Sequence, residues 1–446
     1  MVSADKDLRL LVMTENTGWQ WGLGVEYVNH ELKQGSKFKV LDTSFVGEPR
    51  VRTKIKLFFG DYRTRRQAIK YFKSKNIQII IPRFSLKSSN AYFVNTKLES
   101  HPAFNTLVDH FQTTQVSKLL DKKSLKFIEK EKLKSNLFFA VIEGLDWEKF
   151  NKFIAINGRI NKSATLKYFC KLNKIDLILI EGGNYVEPSF QIYTKSPHSN
   201  FEVQQKMMNL WDVAESPERE NQAEIFFTQL LSRQNSSSAP FRRLMIPQHT
   251  IKFNEKKNCV FFASSEFEGI GAADEIPNEY FQNQQEALEA VLAELDPVLW
   301  DVYLRAHPNH QGSKFEDGEF PVWEKFLKHS NFTYLPPNSP VDSIALGCKA
   351  DLIFGFGSTI LLEFFARGMG NVTNTGSTPW NNLVPENYSP SRDLLRKFID
   401  SEKKAFTIKN LYPWGYYQRR AGFPFELISI SKKTGQWKIK NHNLNS

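Results

Sequence analysis

Cysteine is scarce: Cys170, Cys259 and Cys348 are the only three in 446 residues, and no C-x-x-C pair occurs. That excludes a disulfide framework and a cysteine zinc cluster, and leaves three ordinary buried thiols. No apolar run reaches the roughly 18–20 residues of a membrane span. The longest, Leu137 to Ile142 and Leu177 to Ile180, read as buried strands. The amino terminus carries Asp5, Lys6, Asp7 and Arg9 with only a short apolar run behind them, so it lacks a signal-peptide core. A cytoplasmic protein is expected. Neither a Walker A sequence nor H-E-x-x-H is present, and no internal repeat is visible.

What is there is apolar and aromatic: 41% hydrophobic, 13% aromatic, with 37 phenylalanines. A chain of this length and composition buries a large core and divides into two domains. Net charge is +11, unevenly spread. Residues 1–250 hold 38 Lys+Arg against 25 Asp+Glu, and the remainder 21 against 23. The basic half either meets an anionic partner or carries solvated lysine faces, such as Lys122, Lys123, Lys126 and Lys130. No recognised nucleic-acid motif accompanies the charge, so nucleic acid is not an expected partner.

The stretch from Asp301 to Gly368 organises the chain. Val302 to Ala306 reads as a strand that stops at His307-Pro308-Asn309, since proline ends a ladder. Asp351 to Phe356 is a second apolar strand, followed by Gly357-Ser358-Thr359 and a helix from Ile360 to Gly368. Gly355 and Gly357 admit a ligand to the backbone, Ser358 or Thr359 is placed to cap the helix, and first-turn amides favour an anion. Both devices fall at the carboxyl ends of parallel strands, where open α/β sheets bind nucleotides.

Upstream, Leu8 to Glu15 reads as a buried parallel strand leading into a loop with Gly18, Gly22 and Gly24 and a helix to Lys33. Lys37 to Ser44 and Ile77 to Arg83 are further strands, Lys54 to Phe59 a possible one, and Arg63 to Lys75 a basic helix. Phe153 to Ile156, the Asn157-Gly158-Arg159 turn, a helix from Lys162 to Asn173 and a strand from Asp176 to Ile180 form a βαβ unit ending in Glu181-Gly182-Gly183. Glu15 and Glu181 thus stand at strand tips as alternative general bases, with Gly18, Asn157 and Arg159 nearby in uncertain roles. Arg159 suits a phosphate held bidentately, or a structural ion pair. Residues 187–250, with five prolines and a polar run at Gln234 to Ser238, read as the crossing between domains 1–245 and 246–446. Cys259 to Ala263 is the first strand beyond it, with Ser264-Ser265 in its loop.

Leu304-Arg305-Ala306-His307-Pro308-Asn309, Asp342-Ser343, and Ala350 to Ile353 running into Gly357-Ser358-Thr359 and Glu363 resemble the carboxy-terminal half of bacterial capsule and lipopolysaccharide glycosyltransferases of the GT-B fold. The Asn157-Gly158-Arg159 and Glu181-Gly182-Gly183 turns, and Ser264-Ser265 with its acidic neighbours, resemble the same group, so the likeness spans about residues 150–368. Many relatives have arginine after that glutamate, where this chain has Gly182. The resemblance implies an α/β chain of two Rossmann-like parallel-sheet domains facing a cleft, the end (about 405–446) packing back on the first domain. It implies a donor site of Arg305, His307, Pro308, Asn309, Gly357, Ser358, Thr359 and Glu363, with Ser264 and Ser265 on donor phosphate. The implied reaction is metal-independent, inverting glycosyl transfer from a nucleotide sugar to a glycan or lipid-linked anionic acceptor, on or near the cytoplasmic membrane face and without a cofactor. The only Asp-x-Asp, Asp5-Lys6-Asp7, precedes the first strand and is misplaced for a metal-dependent transferase. A sugar-nucleotide 2-epimerase, a teichoic-acid-type polyol-phosphate transferase and a non-catalytic nucleotide-sugar-binding protein remain alternatives.

Overall fold

The computed structural model describes residues 8–44, 46, 58–82, 93, 96–111, 116, 121–183, 188–197, 199–232, 249, 251–265, 280–307, 323–431 and 436–440. The described chain is α/β, with two parallel-dominated sheets of seven and five strands in two Rossmann-like units, the architecture expected from the sequence. One unit comprises residues 1–108, 115–197 and 422–446; the other comprises 109–114 and 198–421.

The first unit runs β1 (Leu8–Met13), α1 (Gly18–Leu32), β2 (Lys37–Asp42), α2 (Phe58–Ser74), β3 (Gln78–Ile80), α3 (Phe104–Phe111), α4 (Lys122–Glu143), β4 (Lys152–Ile156), α5 (Asn161–Asn173), β5 (Asp176–Gly183) and β6 (Ser189–Tyr193). Strands β3-β2-β1-β4-β5 are parallel neighbours, and β6 follows antiparallel to β5. Leu10, Leu11, Val12 and Met13 are wholly buried, as strands covered on both faces must be.

Five expectations are corrected here: Cys348 is exposed while Cys170 and Cys259 are buried, the glycine stretch through Gly18, Gly22 and Gly24 is the start of α1 and not a loop, and three segments change type. Leu137 to Ile142 lies in α4 and is helical, because the apolar positions continue a helix that Asp121 caps by accepting the Lys123 and Ser124 amides. Phe58 and Phe59 open α2 and are not strand; the rest of that expected strand, 54–57, falls outside the described residues. Glu181, Gly182 and Gly183 belong to β5, where they pair with β6.

The second unit begins with α6 (Asn200–Val213) and α7 (Ser216–Ser232) and continues through β7 (Lys257–Phe262), α8 (Gln284–Glu294), β8 (Trp300–Arg305), β9 (Phe332–Leu335), α9 (Ser343–Gly347), β10 (Leu352–Gly355), α10 (Ile360–Phe365), β11 (Val372–Asn374), α11 (Arg392–Asp400) and α12 (Tyr412–Arg420). Its sheet, β11-β10-β7-β8-β9, is parallel throughout. Phe261, Phe354 and Leu304 pack one face against α8, and Ile353, Val260 and Phe364 fill the other.

The chain end completes the first unit. Strand β12 (Phe423–Pro424) pairs with β6, and the hairpin of β13 (Ile428–Ile430) and β14 (Trp437–Ile439) lies over α1 and α2. Buried Glu26 of α1 accepts the amides of Glu426, Leu427 and Ile428, and Thr64 donates to the Trp437 carbonyl at 2.6 Å. A Cβ added at Gly22 would stand 2.6 Å from the Trp437 ring. Gly22→Ala should therefore cost about 1–3 kcal/mol of stability through overpacking, read as a lower urea midpoint. An unchanged midpoint would show that the hairpin does not seat on α1.

Candidate functional site

Each unit has one place where the strand order turns back on itself. In the second, the chain builds β7, β8 and β9 outward in one direction and then adds β10 and β11 on the opposite side of β7. Loops leaving β7 and β10 must diverge there, which opens the crevice where such sheets hold ligands. Gly355, Phe262 and Arg305 share one register level, so the three strands release their loops together.

Ser264, Ser265, His307, Gly357, Ser358 and Thr359 of the predicted donor set lie in those loops. Ser265, 9% exposed, meets His307 with Oγ 2.8 Å from Nδ1, a bond that sets the rotation of the imidazole. Buried Gln284 of α8 holds the loop: its Oε1 accepts the Ser264 amide at 3.0 Å and its Nε2 donates to the Ser264 carbonyl. In the loop after β10, Gly357 adopts φ +69°, a conformation glycine takes without strain, and Ser358 follows at 7% exposure. Thr359 is exposed at the N-cap of α10 and makes no side-chain cap bond; this helix spans six residues, short of the expected Gly368. Glu363 is 9% exposed and lies 3.9 Å from Arg367.

Arg305 is engaged elsewhere. Its guanidinium is buried and donates to the carbonyls of Pro336 and Ser339 and to the Ser343 hydroxyl, and burial lowers it to about 10. The geometry makes it a strap on the 336–343 segment. Pro308, Asn309 and the acidic residues after Ser265 lie outside the described residues.

The first unit turns back between β1 and β4, since β1, β2 and β3 run one way and β4 and β5 the other. Glu15 and Asn157 follow the ends of β1 and β4, and Glu181 lies near the end of the adjacent β5. Asn157, at φ +66°, donates from Nδ2 to Glu181 Oε2 at 2.5 Å and accepts the Arg159 amide at 3.0 Å. Burial pushes the Glu181 carboxyl above its ordinary range; the Asn157 bond, the Gly182 amide and the Arg159 charge pull it part of the way back. Gly18 donates its amide to Asp61 at 2.7 Å, so the first amide of α1 already has a carboxylate from within the protein.

Sequence reasoning missed the brace behind Glu15. Lys162, 5% exposed, donates to the carbonyls of Thr14, Thr43 and Ser44 at 2.9, 3.1 and 3.3 Å, tying the tips of β1 and β2. Gln20 accepts the Glu15 amide at 3.1 Å, and Ser163 bonds Thr14 at 3.1 Å. A lysine in a first helical turn reads as solvated, and only the carbonyls around it reveal otherwise.

No family model matches the chain, and no curated protein matches its sequence. Among solved structures, the chain is similar to Thermosulfurimonas dismutans KpsC, a beta Kdo 2,4 transferase, at 13% identity and TM-score 0.40, over 67% of this chain and 87% of that one. It is similar to the UDP-GlcNAc 2-epimerase of Methanocaldococcus jannaschii at 11% identity and TM-score 0.29, over 90% and 96%. The spinosyn rhamnosyltransferase SpnG aligns at 9% identity and TM-score 0.22, over 88% of each chain.

The Glu181 environment fixes the sign of a measurable effect. Its folded-state value lies above the ordinary 4.5. The stability that this group contributes is therefore complete below the unfolded value and is lost as pH rises through the folded one. Glu181→Gln should be more stable than the parent near pH 8, with the gap closing towards about pH 4. Thermal unfolding across that range checks it, and a gap that widens on acidification contradicts it.

Proposed function

We propose that this chain is a GT-B-type glycosyltransferase that moves a sugar from a nucleotide-sugar donor to a surface-glycan acceptor without a metal ion. The observation that carries the reading is the convergence of Ser265, His307 and Ser358 on three adjacent parallel strand ends at the switch point of one sheet. Hydroxyl and imidazole groups fixed in this way suit the phosphate of a departing nucleotide.

In the proposed step, Glu15 or Glu181 takes the proton of an acceptor hydroxyl. The freed oxygen attacks the anomeric carbon, the bond from that carbon to the phosphate oxygen breaks, and the electron pair leaves with the nucleotide. His307 and Ser358 stabilise the charge that develops on the phosphate; preorganised donors of this kind are worth about 10²–10³ in rate each. A carboxylate raised by burial, as at Glu181, is better matched to abstracting a proton near neutrality than an ordinary one. In this reading the unit built on β1 supplies the acceptor side and the unit built on β7 the donor side.

The acceptor or its membrane is proposed to be anionic, a phosphorylated or lipid-linked glycan of the capsule or lipopolysaccharide kind. Helix α4 exposes Lys122, Lys123, Lys126 and Lys130 together with Leu125 and Leu133. Basic residues beside an anionic leaflet contribute about 1 kcal/mol each. Reversing the four charges should weaken sedimentation with phosphatidylglycerol vesicles, and high salt should mimic the change. Parent protein that does not sediment, or that ignores both, leaves these lysines as a solvated helix face.

Incubation with a nucleotide-sugar panel tests the activity. Nucleotide release with acceptor is expected, falling about 10²–10³-fold in His307→Ala and Ser358→Ala, and abolished by Glu→Gln at whichever of positions 15 and 181 is the base. Interconversion of the sugar on its nucleotide marks an epimerase instead. Unchanged turnover in all four variants removes the site.

A further inference from the structure

We propose that Asn374 is the positioning residue of the donor-side turn, an inference that rests on the donor-site reading above. Asn374 ends β11, directly beside Gly355 in register, and is wholly buried. Both ends of its side chain reach backbone, and the amide nitrogen also reaches the Asn381 side chain. Oδ1 accepts the Gly357 amide at 2.8 Å and the Gly376 amide at 3.3 Å; Nδ2 donates to the Gly376 carbonyl and to Asn381 Oδ1, each at 2.7 Å. Asn381 closes the ring, donating to the same Gly376 carbonyl at 3.0 Å and accepting the Thr378 hydroxyl at 2.5 Å.

One amide side chain therefore pins two glycine turns together. A Cβ on Gly376 would stand 2.7 Å from the Gly357 nitrogen and 2.9 Å from the Phe356 carbonyl carbon, so the two backbones are in direct contact. Gly357 is held at φ +69° from outside its own loop, by a residue 17 positions away. The chemistry follows from where that amide points. Because the Gly357 N–H is given to Asn374, phosphate recognition passes to Ser358 and Thr359, and the glycine serves geometry alone. Removing the acceptor oxygen would leave the Gly357 amide without its partner and free the turn to swing, taking the Ser358 hydroxyl off a phosphate-binding line.

A residue that merely stabilised β11 would change stability without a specific effect on ligand. Nucleotide affinity of the purified full chain, measured by calorimetry with UDP, CMP and GDP, separates the two. Asn374→Ala is expected to weaken the preferred nucleotide at least tenfold. Val372→Ala, in the same strand and equally buried, is expected to lower the Tm by a similar amount while keeping affinity within about twofold. Asn374→Asp retains an acceptor oxygen for Gly357 and should lose less than the alanine variant; it decides the matter if Asn374→Ala does not fold. Parent-like affinity in folded Asn374→Ala, or an equal loss in Val372→Ala, overturns the proposal. A parent chain that binds none of the nucleotides overturns the donor-site reading itself, and this inference with it.

Discussion

Both candidate sites depend on one constraint: parallel strands release their loops at the same end. In the sheet built on β7, strands β10, β7 and β8 end at one register level, so residues from three distant parts of the sequence emerge within reach of one another. The Ser265–His307 bond spans 42 positions and needs no long side chain to do so. The same constraint acts in the sheet built on β1, where Asn157 and Glu181, 24 positions apart, meet across β4 and β5.

Much of this was legible in residue order. Apolar runs at residues 10–13 and 352–355 declared parallel strands buried on both faces, and Gly357 after the second marked where a loop would leave. Local signals failed where tertiary partners decide. Leu137 to Ile142 looks like a strand because every residue is apolar, yet the capped helix before it carries on through them. Glu181 to Gly183 looks like a turn, yet antiparallel pairing with β6 extends the strand. Arg305 sits within a nucleotide-site pattern, but its charge is met by carbonyls of the proline-rich segment that follows β9.

The polar residues that brace the two sites were the least visible. Lys162, Gln284 and Asn374 are ordinary residue types in unremarkable contexts, and each is buried with its hydrogen-bonding capacity turned onto backbone. Such burial is tolerable because every group finds a partner, and the loss of one partner leaves a costly orphan. The pattern is the same in both sheets: a layer of side chains stands at the strand tips, and buried polar side chains behind it fix the loops that carry them. Loops braced in this way are held in one geometry by the protein itself.

The central claim is that a donor nucleotide binds at the carboxyl ends of β7, β8 and β10. A crystal structure of the chain grown with nucleoside diphosphate tests it most directly. The account predicts phosphate density within hydrogen-bond distance of His307 and Ser358, with the Gly357 amide still on Asn374. Nucleotide density at the ends of β1, β4 and β5, or anywhere away from His307 and Ser358, would contradict it.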